Sequence, residues 1–187
     1  MKVTLGVSRR HVHLTEETWK ILFGDTPMLK RNDLGQPGQF ATMHKVDLQV
    51  GDNKIEGVRL IGPARKYNQV ELAETDAKIL GINPPRRQSG DLEGSLPITI
   101  IGPNGKVDLS SGAILAERHI HMDPLMAKRV ALVDKQEMEV YKDDKYLFNA
   151  IIKISDPAAL EIHIDTDEAE EYNLSTGDIL DIRVCGK

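Results

Sequence analysis

Short stretches of alternating apolar and polar residues run along the whole chain. Met1-Lys2-Val3-Thr4-Leu5-Gly6-Val7 reads as a strand that leads straight into a pair of histidines. Lys45-Val46-Asp47-Leu48-Gln49-Val50 alternates and then meets a turn at Gly51-Asp52-Asn53. Ile55 to Ile61 and Pro97 to Ile101 read as further strands, the second closing on Gly102-Pro103-Asn104-Gly105. Val130 to Val133, Glu137 to Tyr141, Tyr146 to Ile154 and Ile179 to Val184 complete the set. Many short strands joined by Gly, Pro and Asp turns predict a mainly β protein of small barrels or sandwiches.

Between the strands lie start signals for four short helices. Thr15 can cap Glu16 to Phe23, which stops at Gly24, and Leu14 with Trp19 can form a hydrophobic staple. Asp123 can cap a helix that opens with Pro124, Thr75 one over Asp76 to Leu80, and Thr166 one over Asp167 to Tyr172. Each helix starts shortly after a histidine or glutamate: His13, Glu71, His121 or His163.

Those four residues belong to an internal repeat. Arg10-His11-Val12-His13-Leu14 returns as Arg118-His119-Ile120-His121-Met122. Val70-Glu71-Leu72 through Ala77 aligns without gaps on Ile162-His163-Ile164 through Ala169, and Ser89-Gly90-Asp91-Leu92 echoes Thr176-Gly177-Asp178-Ile179. The chain thus reads as two related halves, residues 1–95 and 96–187, each a copy of one small β unit.

Residues i and i+2 of a strand share a face, so His11 and His13 project together, and so do His119 and His121. Paired imidazoles on one face suit Zn2+, with Glu71 or His163 as the third donor to each ion. Three protein ligands leave a position for water or substrate, which marks a catalytic rather than a structural site. Symmetry pairs His11, His13 and Glu71 on one ion and His119, His121 and His163 on the other; a crossed pairing satisfies the same spacing. The unequal third ligand implies two sites of different charge. His44 has no counterpart in the repeat and reads as a surface or packing residue.

Two basic turns add a candidate anion site. Gly62-Pro63-Ala64-Arg65-Lys66 carries two cations at the mouth of the Glu71 strand, and a guanidinium fork matches phosphate oxygens. Arg86 and Arg87, ahead of Ser89-Gly90-Asp91, form a second such turn. Solvated turns carry similar charges.

Composition narrows the partners. Only 4% of residues are aromatic and the net charge is −5, which disfavours a nucleic-acid partner. No apolar run approaches the roughly 20 residues that span a bilayer. The lone cysteine, Cys185, excludes an intrachain disulfide and fits a reducing compartment. A cytoplasmic protein acting on small molecules is the expectation, and self-association is compatible with it.

Taken together the motifs resemble those of the phosphate propanoyltransferases, the PduL-type phosphotransacylases. The resemblance rests on Val7-Ser8-Arg9-Arg10-His11-Val12-His13-Leu14, Gly35-Gln36-Pro37-Gly38-Gln39-Phe40 and Gly62-Pro63-Ala64-Arg65. It continues through Gln69-Val70-Glu71, Thr75-Asp76-Ala77, Leu80-Gly81-Ile82, Arg87 and Ser89-Gly90-Asp91. Arg118-His119-Ile120-His121-Met122 and His163-Ile164-Asp165-Thr166-Asp167-Glu168-Ala169 complete it, so it spans nearly the whole chain.

The resemblance implies two small related β-barrels with short capping helices and a dinuclear zinc site between them, segments being able to exchange between the barrels. It implies reversible transfer of a short acyl group, acetyl or propanoyl, between coenzyme A and phosphate. By position, His11, His13 and Glu71 would hold one zinc and His119, His121 and His163 the other. Arg65 would bind the phosphoryl group as the catalytic arginine, and Arg87 would lie near coenzyme A. Relatives housed in bacterial microcompartments carry an amphipathic N-terminal extension; here the first strand begins at Lys2, which favours a free cytoplasmic enzyme.

A coordinated thiol is deprotonated, so the expected mechanism is attack of a metal-activated coenzyme A thiolate on an acyl phosphate. No serine or cysteine sits in a nucleophile motif. The ligand set by itself also permits a two-metal hydrolase of phosphate esters or acyl phosphates, or a non-catalytic zinc-binding β module.

Overall fold

The computed structural model describes residues 1–186. In chain order the elements are β1 (Lys2–Ser8), β2 (His11–His13), α1 (Glu16–Phe23), β3 (Lys30–Asp33), β4 (Phe40–Val50), β5 (Asn53–Gly62), β6 (Gln69–Leu72), α2 (Glu74–Leu80) and β7 (Arg86–Arg87). They continue with β8 (Leu96–Ile101), β9 (Lys106–Ala116), β10 (His119–Met122), α3 (Pro124–Val130), β11 (Glu137–Lys142), β12 (Lys145–Ile154), β13 (Glu161–Asp165), α4 (Thr166–Glu171) and β14 (Ile179–Val184).

The protein is mainly β, and its strands close into two six-stranded barrels. One, here called the His163 barrel, runs β1-β13-β10-β12-β11-β14 and back to β1. The other, the Glu71 barrel, runs β4-β5-β2-β6-β9 and closes through β8, which pairs with both β9 and β4. The sense of pairing repeats as well. β13 is parallel to β1 and antiparallel to β10, and β6 is parallel to β9 and antiparallel to β2.

That correspondence matches β10 to β2, β13 to β6, the β11-β12 hairpin to β4-β5, and β14 to β8. It leaves β1 and β9 as counterparts, each placed in the barrel of the opposite half. The compact units follow this exchange: Met1–Ser8 and Gly35–Pro37 belong with the chain from Glu117 onward, and Arg9–Leu34 belongs with Gly38–Ala116. Matched in this way, the first copy runs through β8 and the second begins with β9. Gly90-Asp91 and Gly177-Asp178 each precede the strand that ends a half, which is why β8 goes with the first.

Each barrel has its own core. Val12, Leu14, Trp19, Leu22, Leu48, Leu60, Val70, Leu72 and Ile100 are among those filling the Glu71 barrel. Val3, Leu5, Ile120, Met122, Phe148, Ile152, Ile162, Ile164 and Leu180 are among those filling the other. The residues flanking the histidines, Val12, Leu14, Ile120 and Met122, thus point into the cores and turn the imidazoles the opposite way.

Two helix caps differ from the sequence expectation. Ala73, not Thr75, precedes α2, because the Asp76 carboxylate accepts the Ala73 N–H at 3.2 Å. Asp165, not Thr166, caps α4, accepting from Glu168 N while Glu168 accepts from Asp165 N, a reciprocal capping box. Thr15 and Asp123 cap α1 and α3 as expected. Asp123 accepts from both Leu125 N and Met126 N. Asp123→Ala is expected to cost about 1 kcal/mol in a urea unfolding curve with unchanged slope.

Two strand readings are also corrected. Val130 to Val133 is not a strand: Ala131 takes a left-handed conformation that ends α3, and Leu132 N–H returns to Ala127 C=O at 3.0 Å. The apolar run there is the hydrophobic contact of a helix C-cap. Conversely, β9 is a strand beyond the predicted set. Gly112 sits at φ +146, where a Cβ would lie 3.3 Å from the Asn68 carbonyl, so the strand passes through a position closed to larger residues.

Candidate functional site

Register alone brings the proposed ligands together. In the Glu71 barrel β2 and β6 pair so that His11 faces Glu71 and His13 faces Gln69. In the His163 barrel β10 and β13 pair so that His119 faces His163 and His121 faces Glu161. The donor atoms of His11, His13 and Glu71 lie within 4.8 Å of one another, and so do those of His119, His121 and His163.

In the first group His11 Nε2 is 3.4 Å and His13 Nε2 3.9 Å from the Glu71 carboxylate. His11 gives Nδ1–H to the Arg9 carbonyl at 2.8 Å, which leaves Nε2 as its donor atom. Gln69 holds Glu71 from behind: its Nε2 donates to Glu71 Oε1 at 2.6 Å and to Ser89 Oγ at 2.8 Å, while its Oε1 accepts the Gly90 N–H. That is the role of the Ser89-Gly90 turn, which sequence alone marked without explaining.

Burial pulls His11 down, but the Glu71 carboxylate outweighs it and holds the imidazole above its ordinary pKa. Burial, then repulsion from His11 and Arg65, pushes His13 down to about 3. His13 is therefore neutral, with a lone pair to offer. Two imidazoles and a carboxylate, with one imidazole held unprotonated, fit Zn2+.

In the second group His119 repeats the geometry of His11, giving Nδ1–H to the Glu117 carbonyl at 2.7 Å. Its Nε2 lies 3.1 Å from His121 Nε2. The three rings pack edge to face, with centroids 4.6–5.3 Å apart. An all-imidazole set also fits Zn2+. A residue that sequence reasoning passed over stands beside it: Glu161 Oε2 is 2.8 Å from His163 Nε2. The hydrogen bond from His163 holds the Glu161 carboxyl below the usual carboxylate range. With that carboxylate present, the two groups do not differ in charge as the third ligands alone implied.

The arginine ahead of each histidine pair has a structural task. Arg10 Nη1 bonds Asp76 at 2.8 Å, and Arg118 Nε bonds Glu168 at 2.6 Å. Asp76 and Glu168 are the first-turn acids whose second oxygens receive the backbone N–H at the starts of α2 and α4. Each arginine thereby ties its histidine strand to the helix that follows the third donor.

Arg65 lies next to the first group. Its backbone N–H bonds Leu14 C=O at 2.8 Å, and its positive charge bears on both His11 and His13. Its guanidinium is aimed by Tyr67 Oη at 2.8 Å and Gln39 Oε1 at 3.2 Å. A cleft opens beside it, lined by Thr15, Lys20, Arg65 and Lys66 together with the acidic Glu16 and Glu17.

Arg86 pairs with Glu74, and Arg87 closes its own loop by donating to the Glu93 and Arg86 carbonyls. His44 stands apart from both groups. It packs edge-on against Trp19 and contacts the Pro27 carbonyl and Leu29 N–H. Among the described residues no helix is long and apolar enough to cross a membrane.

The sequence model of the family described as phosphate propanoyltransferase matches residues 4–175. The chain belongs to the phosphate propanoyltransferase family. Among relatives bearing that name, the Thermotoga maritima protein is 44% identical over 186 residues, covering 95% of this chain and 87% of its own. The Citrobacter freundii protein is 43% identical over 171 residues, 89% of this chain and 81% of its own. The Rhodopseudomonas palustris protein is 38% identical over 190 residues, 100% of this chain and 83% of its own. The family match covers both donor groups of this phosphate propanoyltransferase-family chain and stops short of β14.

Proposed function

We propose that the protein transfers a short acyl group, propanoyl or acetyl, between coenzyme A and phosphate. The observation that carries this reading is the Glu71 barrel's donor group, with a side-chain-aimed arginine beside it, in a chain of this family. His11, His13 and Glu71 would hold one Zn2+ and His119, His121 and His163 another. Zn2+ bound there supplies Lewis acidity toward a carbonyl oxygen and favours the thiolate form of a bound thiol.

The chain's own residues do the positioning. Arg65 presents a planar fork to the phosphoryl oxygens, and Tyr67 with Gln39 holds that fork in place. In the thioester-forming direction the coenzyme A sulfur attacks the acyl carbon, the C–S bond forms and the C–O bond to phosphate breaks. The electron pair leaves on the phosphate oxygen, where the Arg65 cation stabilises it. The thiol proton ends on the released phosphate. Neutral His13 keeps its lone pair available to the metal ion. Arg87, on β7, we place toward coenzyme A.

The test is thioester formation from coenzyme A with acetyl, propanoyl and butanoyl phosphate. Thioester should form with the shorter donors, and acyl phosphate should be consumed only when coenzyme A is present. Consumption without coenzyme A would identify a hydrolase instead, and no thioester with any donor would refute the proposal.

A further inference from the structure

Ser89-Gly90 and Thr176-Gly177 are counterparts in the repeat, yet their polar groups go to different partners. Thr176 Oγ1 accepts the Val7 N–H at 3.1 Å, and the Gly177 N–H reaches the Leu5 carbonyl at 2.8 Å, so that turn fastens the backbone of β1. The Gly90 N–H goes instead to a side chain, Gln69 Oε1, at 2.7 Å. Among the described residues nothing lies within 4 Å of a Cβ placed on Gly177, whereas one on Gly90 would meet Tyr67 Oη at 3.4 Å. In the Glu71 barrel the same turn therefore serves two side chains, Gln69 and Tyr67.

Gln69 is fully buried. A backbone N–H only donates, so Gly90 fixes the amide with Oε1 toward the turn. The Nε2 hydrogens then go to Glu71 Oε1 at 2.6 Å and to Ser89 Oγ at 2.8 Å. The direction of the donor that Glu71 meets is set by the turn and not by Glu71 itself.

Tyr67 packs over the same glycine, which sits at φ +100, and its Oη accepts from Arg65 Nη1 at 2.8 Å. Asn68, between Tyr67 and Gln69, is tied to the start of α1. Its Oδ1 accepts the Thr15 N–H at 2.9 Å, and its Nδ2 donates to Thr18 Oγ1 at 2.8 Å. The backbone that carries Tyr67 and Gln69 is thus anchored independently of the turn that their side chains reach.

We propose that Gln69 and Tyr67 are positioning residues that set Glu71 and Arg65 from one support, the Ser89-Gly90 turn. A metal donor and the phosphate-binding guanidinium are thereby held in a fixed relation to each other. The inference rests on the roles given to Glu71 and Arg65 in the function proposed above.

The test uses the full chain loaded with zinc and takes two readouts, chelator competition for each zinc equivalent and calorimetry with inorganic phosphate at saturating zinc. Tyr67→Phe leaves Arg65 only its Gln39 acceptor; it should raise the phosphate Kd about 10-fold and leave both zinc affinities unchanged. Gln69→Leu should weaken by about 10–100-fold the zinc equivalent that Glu71→Ala removes, and leave the other unchanged. Gly90→Ala puts a side chain where φ is +100 and should shift both readouts together. Tyr67→Phe with an unchanged phosphate Kd, Gln69→Leu with both zinc affinities intact, or Gly90→Ala that moves one readout alone would overturn the proposal. If the buried or strained variants do not fold, Ser89→Ala decides. It removes one of the contacts that hold the Gln69 amide and should weaken the same zinc equivalent several-fold; an unchanged affinity overturns the shared support. Both readouts shifting as expected in a chain that forms no thioester leaves this inference standing and removes the acyl-transfer reading. Thioester formation with neither readout shifted does the reverse.

Discussion

Stripping the protein with a chelator is expected to take thioester formation to background, and His121→Ala is expected to lower kcat at least about 100-fold. His121 is 7% exposed, and its Nε2 stands 3.1 Å from that of His119. Its loss leaves two donors where three converge, too few for a tetrahedral ion with one open position. Metal analysis should show zinc falling from two to one per chain in His121→Ala, with the first group intact. His44→Ala supplies the control. It removes an imidazole that packs against Trp19 and Phe23, so it should lower stability and leave zinc content unchanged. Full turnover by zinc-depleted protein would sink the metal-dependent mechanism.

The second large effect concerns stability. Arg118→Met is expected to cost about 2–4 kcal/mol, because it leaves the Glu168 carboxylate, 3% exposed, without its cation. The same guanidinium lies 4.8 Å from the Phe148 ring centroid and 5.6 Å from that of Tyr172, contacts that methionine replaces only in part. Arg10→Met removes the counterpart pair with Asp76, yet the Arg10 side chain is 44% exposed and, among the described residues, no aromatic ring stands over its guanidinium. Its cost should be nearer about 1 kcal/mol. Urea unfolding of the two variants checks the order, and an equal or reversed order would show that the bracket is not held by burial.

Much of the site could be read from alternation. A histidine at every second position of a short strand fixes which faces the imidazoles share, and the pairing of β2 with β6 and of β10 with β13 then needs only the right partner strand. What alternation could not supply was the partner of each arginine. Arg10 meets Asp76 and Arg118 meets Glu168 across 66 and 50 residues of chain, and nothing local marks those acids except their place in the first turn of a helix. Glu161 was within reach. The gapless alignment of Val70-Glu71-Leu72 on Ile162-His163-Ile164 extends one residue back to set Gln69 on Glu161, a polar residue two positions before each third donor. Alternation marks the donors of a site, and a carboxylate that supports a donor carries no such mark. β9 lies beyond the predicted strands, and the Asn68 carbonyl shows why Gly112 stands within it.

The crossing of β1 and β9 into opposite barrels bears on how the chain reaches its fold during synthesis. Every strand of the Glu71 barrel has left the ribosome once Ala116 has emerged, so that barrel can close while the rest is still being made. β1 waits far longer. Among the described residues β1 pairs with β13 and β14, so its edges stay open until those strands have been made. Val3, Leu5 and Val7 are the residues exposed in that interval, and a nascent chain stalled after Ala116 should carry one finished barrel and one unpaired apolar strand.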